Sequence, residues 1–433
     1  MNVGVVGLSL VLLVSVCPAC GGDDDGGGGS GTDAGGGEAD GGADLVAVPV
    51  TTHVGPDVES IMFVAAQDGD GPWQVLEGDG GHYRFETAGR YGLVYVCPDP
   101  YTGDDIYVSV LYATVDEAPA PSIGCFLPVV TGEQPTGILN VSMNDLVAAS
   151  EADVWAAHDR LSLDFDQTFG NIEDFSVPEL TDIIVEARMT GGDVDRLALR
   201  RGVGVSPEAQ TNVVINMDQG FAPETHTYSV TGAEGGETVT TSIFLSTENG
   251  EWVISLDQDA GTYPAMPAAR LRDDDFFTAT ATASEEGGSR RAALYWHDPM
   301  DVELTLPEPV SPLVGQVLEA TPSLLYELTF DDSPEGSYIV ASFATDFFFV
   351  TRGWMDGQTR IALPDVTGLD GWTDDWGIQE FPVTGSVSVV ETDIDLEDVS
   401  GYPAWVWPPE DPFSAVSAGH HDNRVSRTIE LGP

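Results

Sequence analysis

The chain has no lysine. Its 15 basic residues are all arginine and stand against 72 Asp and Glu, a formal net charge of −57 over 433 residues. Without lysine there is no Walker-type phosphate loop, no Schiff base and no Ser-Lys nucleophile. With so few cations, a surface this acidic repels phosphate backbones and anionic headgroups, so nucleic acid is excluded as a partner. No Gly-x-Ser-x-Gly elbow and no His-Glu-x-x-His pair occur. Only four cysteines are present. Apolar residues nevertheless make up 42% of the chain, enough for three or four cores at this length.

Residues 3–16, VGVVGLSLVLLVSV, are the one long apolar run near the start. They have the length of a signal h-region and are short for a bilayer span, so they read as an export signal. No Arg or Lys precedes the run; a start upstream would supply one. Cys20 follows Ala19 and precedes Gly21, the small-residue setting that a lipoprotein signal peptidase accepts, and Cys17 is the rival acceptor. Residues 21–44 follow, with 12 Gly, 6 Asp and 1 Glu in 24 positions. Such a segment buries too little to offset its ordering entropy and reads as a disordered acidic tether averaging about 27 Å end to end. Gly rather than Asp after Cys20 favours the outer membrane.

Cys97 and Cys125 remain. Two cysteines in an oxidising compartment make one bridge, here closing about 29 residues and worth roughly 3.6 kcal/mol by loop-closure entropy. A redox pair would lie closer together, and a zinc site would need more ligands.

From residue 58 onward, period-2 alternation dominates. Ile106, Val108, Val110 and Tyr112 share one face; Val239, Thr241, Ile243 and Leu245 share another; FFTATATAS at 276–284 alternates throughout. Gly- and Asp-rich turns such as DGDG at 68–71 and ENGE at 248–251 separate the runs. Residues 143–158 and 263–271 are the only helical hints, and the first fits a turn followed by a strand equally well. The pattern predicts an all-β chain of tandem antiparallel β-sandwich, Ig-like modules. The expected organisation is a signal peptide at 1–19, a tether at 20–44, and modules at 45–130, 131–215, 216–307 and 308–433.

The stretch VAAQDGDGPWQVLEGDGG at 64–81, continuing through HYRFETAGRYGLVYVC and IYVSVLYATVDEAP, resembles a β module that recurs in lipoproteins of high-GC myxobacteria and related proteobacteria. Residues 137–204, from GILNVSMNDLVA to GGDVDRLALRRGV, are similar to the prealbumin-like fold of carboxypeptidase regulatory-like domains. The two resemblances cover about a third of the chain. They imply exported sandwich modules and bring no catalytic residue.

Asp68 and Asp70 look like half a calcium loop, but Pro72 stands where a further ligand would be, and Asp-Gly is a hairpin-turn signal. His420, His421 and Asp422 cluster in sequence; adjacent strand residues point to opposite faces, so the pair would need a loop to share a metal, and a solvated turn is the reading here. Trp372, Trp376, Trp405 and Trp407 lie in irregular C-terminal segments. Beside acids, exposed tryptophans could stack on sugar rings; in large loops they also plug sandwich ends. The sequence therefore describes a non-catalytic, palmitate-bearing envelope lipoprotein. It would be anchored through Cys20 and present β modules to a protein or glycan ligand, with no cofactor, catalytic residue or metal site expected. The competing reading is a carbohydrate- or calcium-dependent adhesion module using the tryptophan loops.

Overall fold

The structure is a computed structural model. It describes residues 45–431 apart from 53–60, 80, 99–105, 124–135, 145–149, 157–158, 164–168, 177–179, 190–193, 206–209, 257–259, 286, 310–312, 320–324, 332–335, 344–345, 363, 374–375, 377–382 and 393–420. The described chain is almost entirely strand and divides into four sandwich modules.

Module one contains β1 (Val46–Thr52), β2 (Phe63–Asp68), β3 (Gln74–Val75), β4 (His82–Thr87), β5 (Arg90–Pro98), β6 (Ile106–Thr114) and β7 (Ser122–Ile123). Its first, fourth and seventh strands form the sheet β4-β1-β7, and the others run β3-β2-β5-β6. Module two repeats this order. It has β8 (Thr136–Asn144), β9 (Ser150–Ala156), β10 (Asp159–Leu163), β11 (Phe169–Ser176), β12 (Leu180–Met189), β13 (Val194–Gly204) and β14 (Gln210–Asn216), paired as β11-β8-β14 and β10-β9-β12-β13. Module three repeats it again with β15 (Glu224–Thr231), β16 (Thr238–Thr247), β17 (Gly250–Leu256), β18 (Ala260–Ala265), β19 (Phe276–Glu285), β20 (Gly288–Trp296) and β21 (Val302–Thr305), as β18-β15-β21 and β17-β16-β19-β20. In all three the first and last strands pair in parallel, which closes each sandwich beside its own entry point. The three modules thus share one topology.

Module four departs from that plan. Its strands are β22 (Leu313–Glu319), β23 (Leu325–Phe330), β24 (Tyr338–Phe343), β25 (Asp346–Thr351), β26 (Arg360–Ala362), β27 (Val383–Thr392) and β28 (His421–Leu431), with the one-turn helix α1 (Arg352–Met355) after β25. They pair as β22-β23-β26 and β28-β27-β24-β25. Both outer strands of this second sheet continue into neighbours: β28 pairs antiparallel with β20 of module three, and β25 pairs parallel with β6 of module one. A single twelve-stranded sheet, β17-β16-β19-β20-β28-β27-β24-β25-β6-β5-β2-β3, therefore runs through modules three, four and one.

Local sequence explains the strands. In β19, Phe277, Ala279, Ala281 and Ala283 are fully buried while the intervening threonines face outward. In β6 both faces are covered: Val108, Val110 and Tyr112 join a core shared with Leu328, Phe330, Phe348 and Val350 of module four, and Leu111 and Ala113 join a second core reaching Tyr338, Phe349 and Val390. Modules one and four are thus one packing unit on either side of the shared sheet. Module two keeps its own core around Val141, Val154 and Val185, yet it lends Trp155, Ile184 and Leu197 to the core of module three.

One open reading resolves to its strand alternative, and one expectation changes. Residues 150–156, within the segment that hinted at a helix, form β9, because Ala152 and Val154 alternate into the module-two core. His421 and Asp422 lie in β28, opposite Leu294 and Ala293, rather than in a loop. A strand there completes module four and carries the ladder to module three. His420 lies outside the described residues.

Candidate functional site

The most elaborate polar chemistry sits where modules meet. Between modules one and four, Glu117 follows β6 in a turn. Its Oε2 accepts from the Thr114 hydroxyl at 2.8 Å and from the Thr351 hydroxyl, and its Oε1 accepts from the Gly353 N–H at 2.6 Å. Thr351 caps α1, its hydroxyl accepting from the Trp354 N–H. Gly353 is required by close approach, since a Cβ there would stand 2.6 Å from the Glu117 carboxylate. Trp354 stacks on Tyr112 at 4.3 Å between ring centroids, Arg90 lies over its ring, and the Tyr112 hydroxyl donates to the Ala362 carbonyl at 3.0 Å. Burial, and then the nearby Glu117 charge, push the Tyr91 hydroxyl far above its ordinary value, so it acts as a fixed donor to the Ala118 carbonyl at 2.7 Å.

Between modules two and three, Glu186 on β12 is 1% exposed and accepts from the Trp252 indole N–H of β17 at 2.8 Å. It also pairs with Arg188. Burial raises its carboxyl, an effect that Trp252 and Arg188 oppose and Asp153 reinforces. Asp153 is held by Arg160 at 2.8 Å and by the Ser162 hydroxyl at 2.6 Å. Nearby, Arg201 of β13 reaches across to Asp275 at 2.9 Å and also contacts Asp182 at 3.3 Å. Burial works against the Arg201 charge, but Asp275, Asp182 and Asp274 outweigh it and hold the guanidinium firmly protonated. Asp182 also accepts from the Gly202 N–H at 2.7 Å, and the Asp182 N–H donates to the Asn249 carbonyl at 2.9 Å. The guanidinium fork suits such bidentate seams, which accounts for arginine at these positions.

Within module three, Arg290 is 5% exposed and donates to Glu237 at 2.9 and 2.5 Å, and to the carbonyls of Pro307 and Gly232. The hydrogen bonds from Arg290 hold the Glu237 carboxyl below its ordinary range. Across the seam with module four, Arg427 of β28 meets Glu285 at 2.7 Å. Chemically, these clusters hold carboxylates against arginine, hydroxyl and N–H donors, an arrangement that fixes geometry between modules. Among the described residues no group of three His, Cys, Asp or Glu side chains is placed to hold a metal ion.

The residues singled out in the sequence are distributed differently. Cys97 is buried and disulfide-bonded, while Cys125, Cys20 and Cys17 lie outside the described residues. Trp376 is 8% exposed and Trp372 is half-buried; both pack on Phe63 of module one, at 5.9 and 5.5 Å between ring centroids, and edge-on to each other at 5.2 Å. This pair packs into the seam between modules one and four, with Trp376 buried and Trp372 partly exposed. Trp405 and Trp407 lie outside the described residues. Asp68 accepts from the Thr87 hydroxyl at 2.7 Å and the Ala88 N–H at 2.8 Å, and Asp70 pairs with Arg90 at 2.6 Å.

Sequence reasoning missed Glu117, Glu186, Arg201 and Asp275, because among 72 acids no single carboxylate stands out. The available signal was the reverse one: arginines inside strand patterns, such as Arg201 in RLALRRGV and Arg290 in SRRAALYW, need buried partners.

No family model matches the sequence, and no curated protein is similar to it. Distant likenesses among solved structures include a DUF4876 family protein from Bacteroides thetaiotaomicron, 12% identical with a TM-score of 0.17 over 28% of this chain and 36% of that one. The Bacillus anthracis TIE protein is 7% identical with a TM-score of 0.14 over 61% of this chain and 51% of that one. The FN1–FN3 domains of chicken CNTN1 are 9% identical with a TM-score of 0.13 over 57% of this chain and 85% of theirs. This chain thus spans 36% and 51% of the first two. At these scores the likenesses carry no argument about function, and the tandem β-sandwich assignment rests on the sheets themselves.

Proposed function

We propose that the chain is a non-catalytic cell-envelope lipoprotein, lipid-anchored through Cys20 at the outer membrane, that holds its β-sandwich modules out from the bilayer as one connected body. The observation that carries this reading is the order of parts: an apolar run, a cysteine between Ala19 and Gly21, a Gly/Asp tether, and then a folded body. Supporting it, the buried charges at the junctions are engaged in joining modules together, as Glu117, Glu186 and Arg201 illustrate. A scaffold tied to a membrane by a flexible tether keeps its own shape only through such junctions, because contacts between modules otherwise permit relative motion.

Palmitate labelling with membrane fractionation tests the anchor. Wild-type protein is expected to be labelled and sedimented, and Cys20→Ala to be unlabelled and soluble with an unchanged melting temperature. A Cys20→Ala variant that stays labelled while Cys17→Ala is released would move the anchor to Cys17. Soluble, unlabelled wild type would overturn the proposal.

A further inference from the structure

The outer face of the sheet β11-β8-β14 in module two differs from the rest of this acidic surface. Residues 139, 141, 143, 213 and 215 point into the core. Their alternates point out: Ile138, Asn140, Ser142 and Asn144 from β8, and Gln210, Asn212, Val214 and Asn216 from β14. Phe169 of β11 lies opposite Ser142, which lies opposite Val214 in turn. None of these nine is charged, in a chain with 72 acids; the acids of β11, Glu173 and Asp174, fall at the register shift between Ile172 and Phe175, away from the Phe169 row. Phe169 is 55% exposed and Val214 46% exposed, two large apolar groups in one cross-strand row. On either side of that row stands an amide pair, Asn140 donating to Asn212 and Asn144 donating to Asn216, each at 3.0 Å. At the β14 edge of the sheet, Arg200 donates to the Val214 carbonyl at 3.1 Å.

The geometry points to a binding face for a neutral, hydroxyl-rich polymer, that is, an uncharged glycan. A sugar hydroxyl both donates and accepts. Carboxylates, which crowd the rest of the surface, only accept, whereas each asparagine pair keeps N–H donors and a carbonyl beyond its internal bond, offered mainly by Asn144, Asn212 and Asn216 because Asn140 is buried at 9% exposure. That inventory is the same whichever way the amides are turned. Same-face residues recur about every 6.8 Å along a strand, so the two pairs flank the Phe169–Val214 row at roughly one residue pair's spacing. The exposed ring offers the apolar contact area on which a sugar face rests. An anionic polymer is opposed by the net charge of −57, and so is a second copy of this chain. A cationic partner is drawn to the acids elsewhere on the chain but finds no carboxylate among these nine residues to pair with, whereas a neutral hydroxyl-rich one matches their amides. The inference deepens the presenting role proposed above by naming a partner class. It is tested on lipid-free protein, so that loss of glycan binding and loss of membrane attachment are read separately.

The test is affinity electrophoresis of the chain lacking residues 1–20, in native gels cast with dextran, laminarin, xylan or hydroxyethylcellulose, with alginate as the acidic control. Wild type is expected to be retarded by at least one neutral polysaccharide and not by alginate, with retardation persisting at 0.5 M NaCl. Phe169→Ala and the double variant Asn212→Asp/Asn216→Asp are each expected to weaken that retardation at least about tenfold, a loss of about 1.4 kcal/mol. Asn212→Ser, which stays neutral, is expected to retain most of it. Melting temperatures of all variants within a few degrees of wild type establish that the fold is intact; a variant that fails this is replaced by Val214→Asp. Absence of retardation by all four neutral polysaccharides would overturn the inference. So would retardation that the variants leave unchanged, or sedimentation of the wild type as a dimer that Val214→Asp dissociates.

Discussion

Glu237 and Arg290 show how a chain with few cations uses them. Both side chains are nearly buried, 7% and 5% exposed, and the arginine fork is completed by two backbone carbonyls. Removing one partner from such a pair leaves the other charge buried, which costs about 3–5 kcal/mol. Glu237→Ala is therefore expected to lower stability by that amount, read in urea unfolding at pH 7. The Glu237 carboxyl is held below its ordinary range by Arg290. Its contribution is thus present above the unfolded-state value of about 4.3 and is lost as pH falls through the folded-state value. The difference between wild type and Glu237→Gln should accordingly shrink below about pH 4.3; a constant difference down to pH 2 would contradict the pairing. Glu186 is the opposite case: burial raises its carboxyl, so it favours folding on the acid side and opposes it as pH rises. Little of this was legible in the sequence. An acid in a strand reads as a solvated face unless its cationic partner is known, and here the partners lie on other strands, as Arg201 and Asp275 do.

At the scale of elements, the strands themselves were readable, because alternation such as that of FFTATATAS reports a half-buried strand directly. The seams were readable only in part. β25 is buried at every position and β5 at all but its ends, the signature of strands covered on both faces. Nothing in that signature says that β25 pairs with β6, some 240 positions away in sequence, in parallel and in another module. The seam between β28 and module three has a main-chain part, the ladder to β20, and a side-chain part that reaches Glu285 of β19. The Arg427–Glu285 pair is part-exposed, and exposed pairs contribute about 0–1 kcal/mol. Arg427→Ala is accordingly expected to change stability by less than about 1 kcal/mol. Ending the chain at residue 420 removes β28 and with it the join between modules three and four. That truncation is expected to abolish cooperative melting of module four and to expose edges that aggregate. Unchanged melting of the truncated chain would show that β28 is dispensable and that the seam lies elsewhere.

For the whole molecule, charge and continuity act against each other. No charged residue precedes Cys20, and seven acids lie in residues 21–44, so −57 + 7 leaves −50 on the body after residue 44. Self-repulsion of that size destabilises a compact state and is screened as the Debye length falls from about 10 Å at 0.1 M salt to about 3 Å at 1 M. The melting temperature is expected to rise with NaCl toward 1 M, and millimolar calcium to add little beyond matched ionic strength. A large calcium-specific gain would instead favour the metal-dependent adhesion reading. Against the repulsion stands the twelve-stranded sheet and the cores that modules one and four share across it. The fusion of the sandwiches was not legible in the sequence, since module order along the chain does not match sheet order in space. Differential scanning calorimetry of the lipid-free chain tests that fusion most directly. One transition spanning modules one, three and four is expected, with a calorimetric enthalpy well above the 60–80 kcal/mol of a 100-residue domain and close to its van't Hoff enthalpy. Separate transitions of about 60–80 kcal/mol each, one per module, would contradict it.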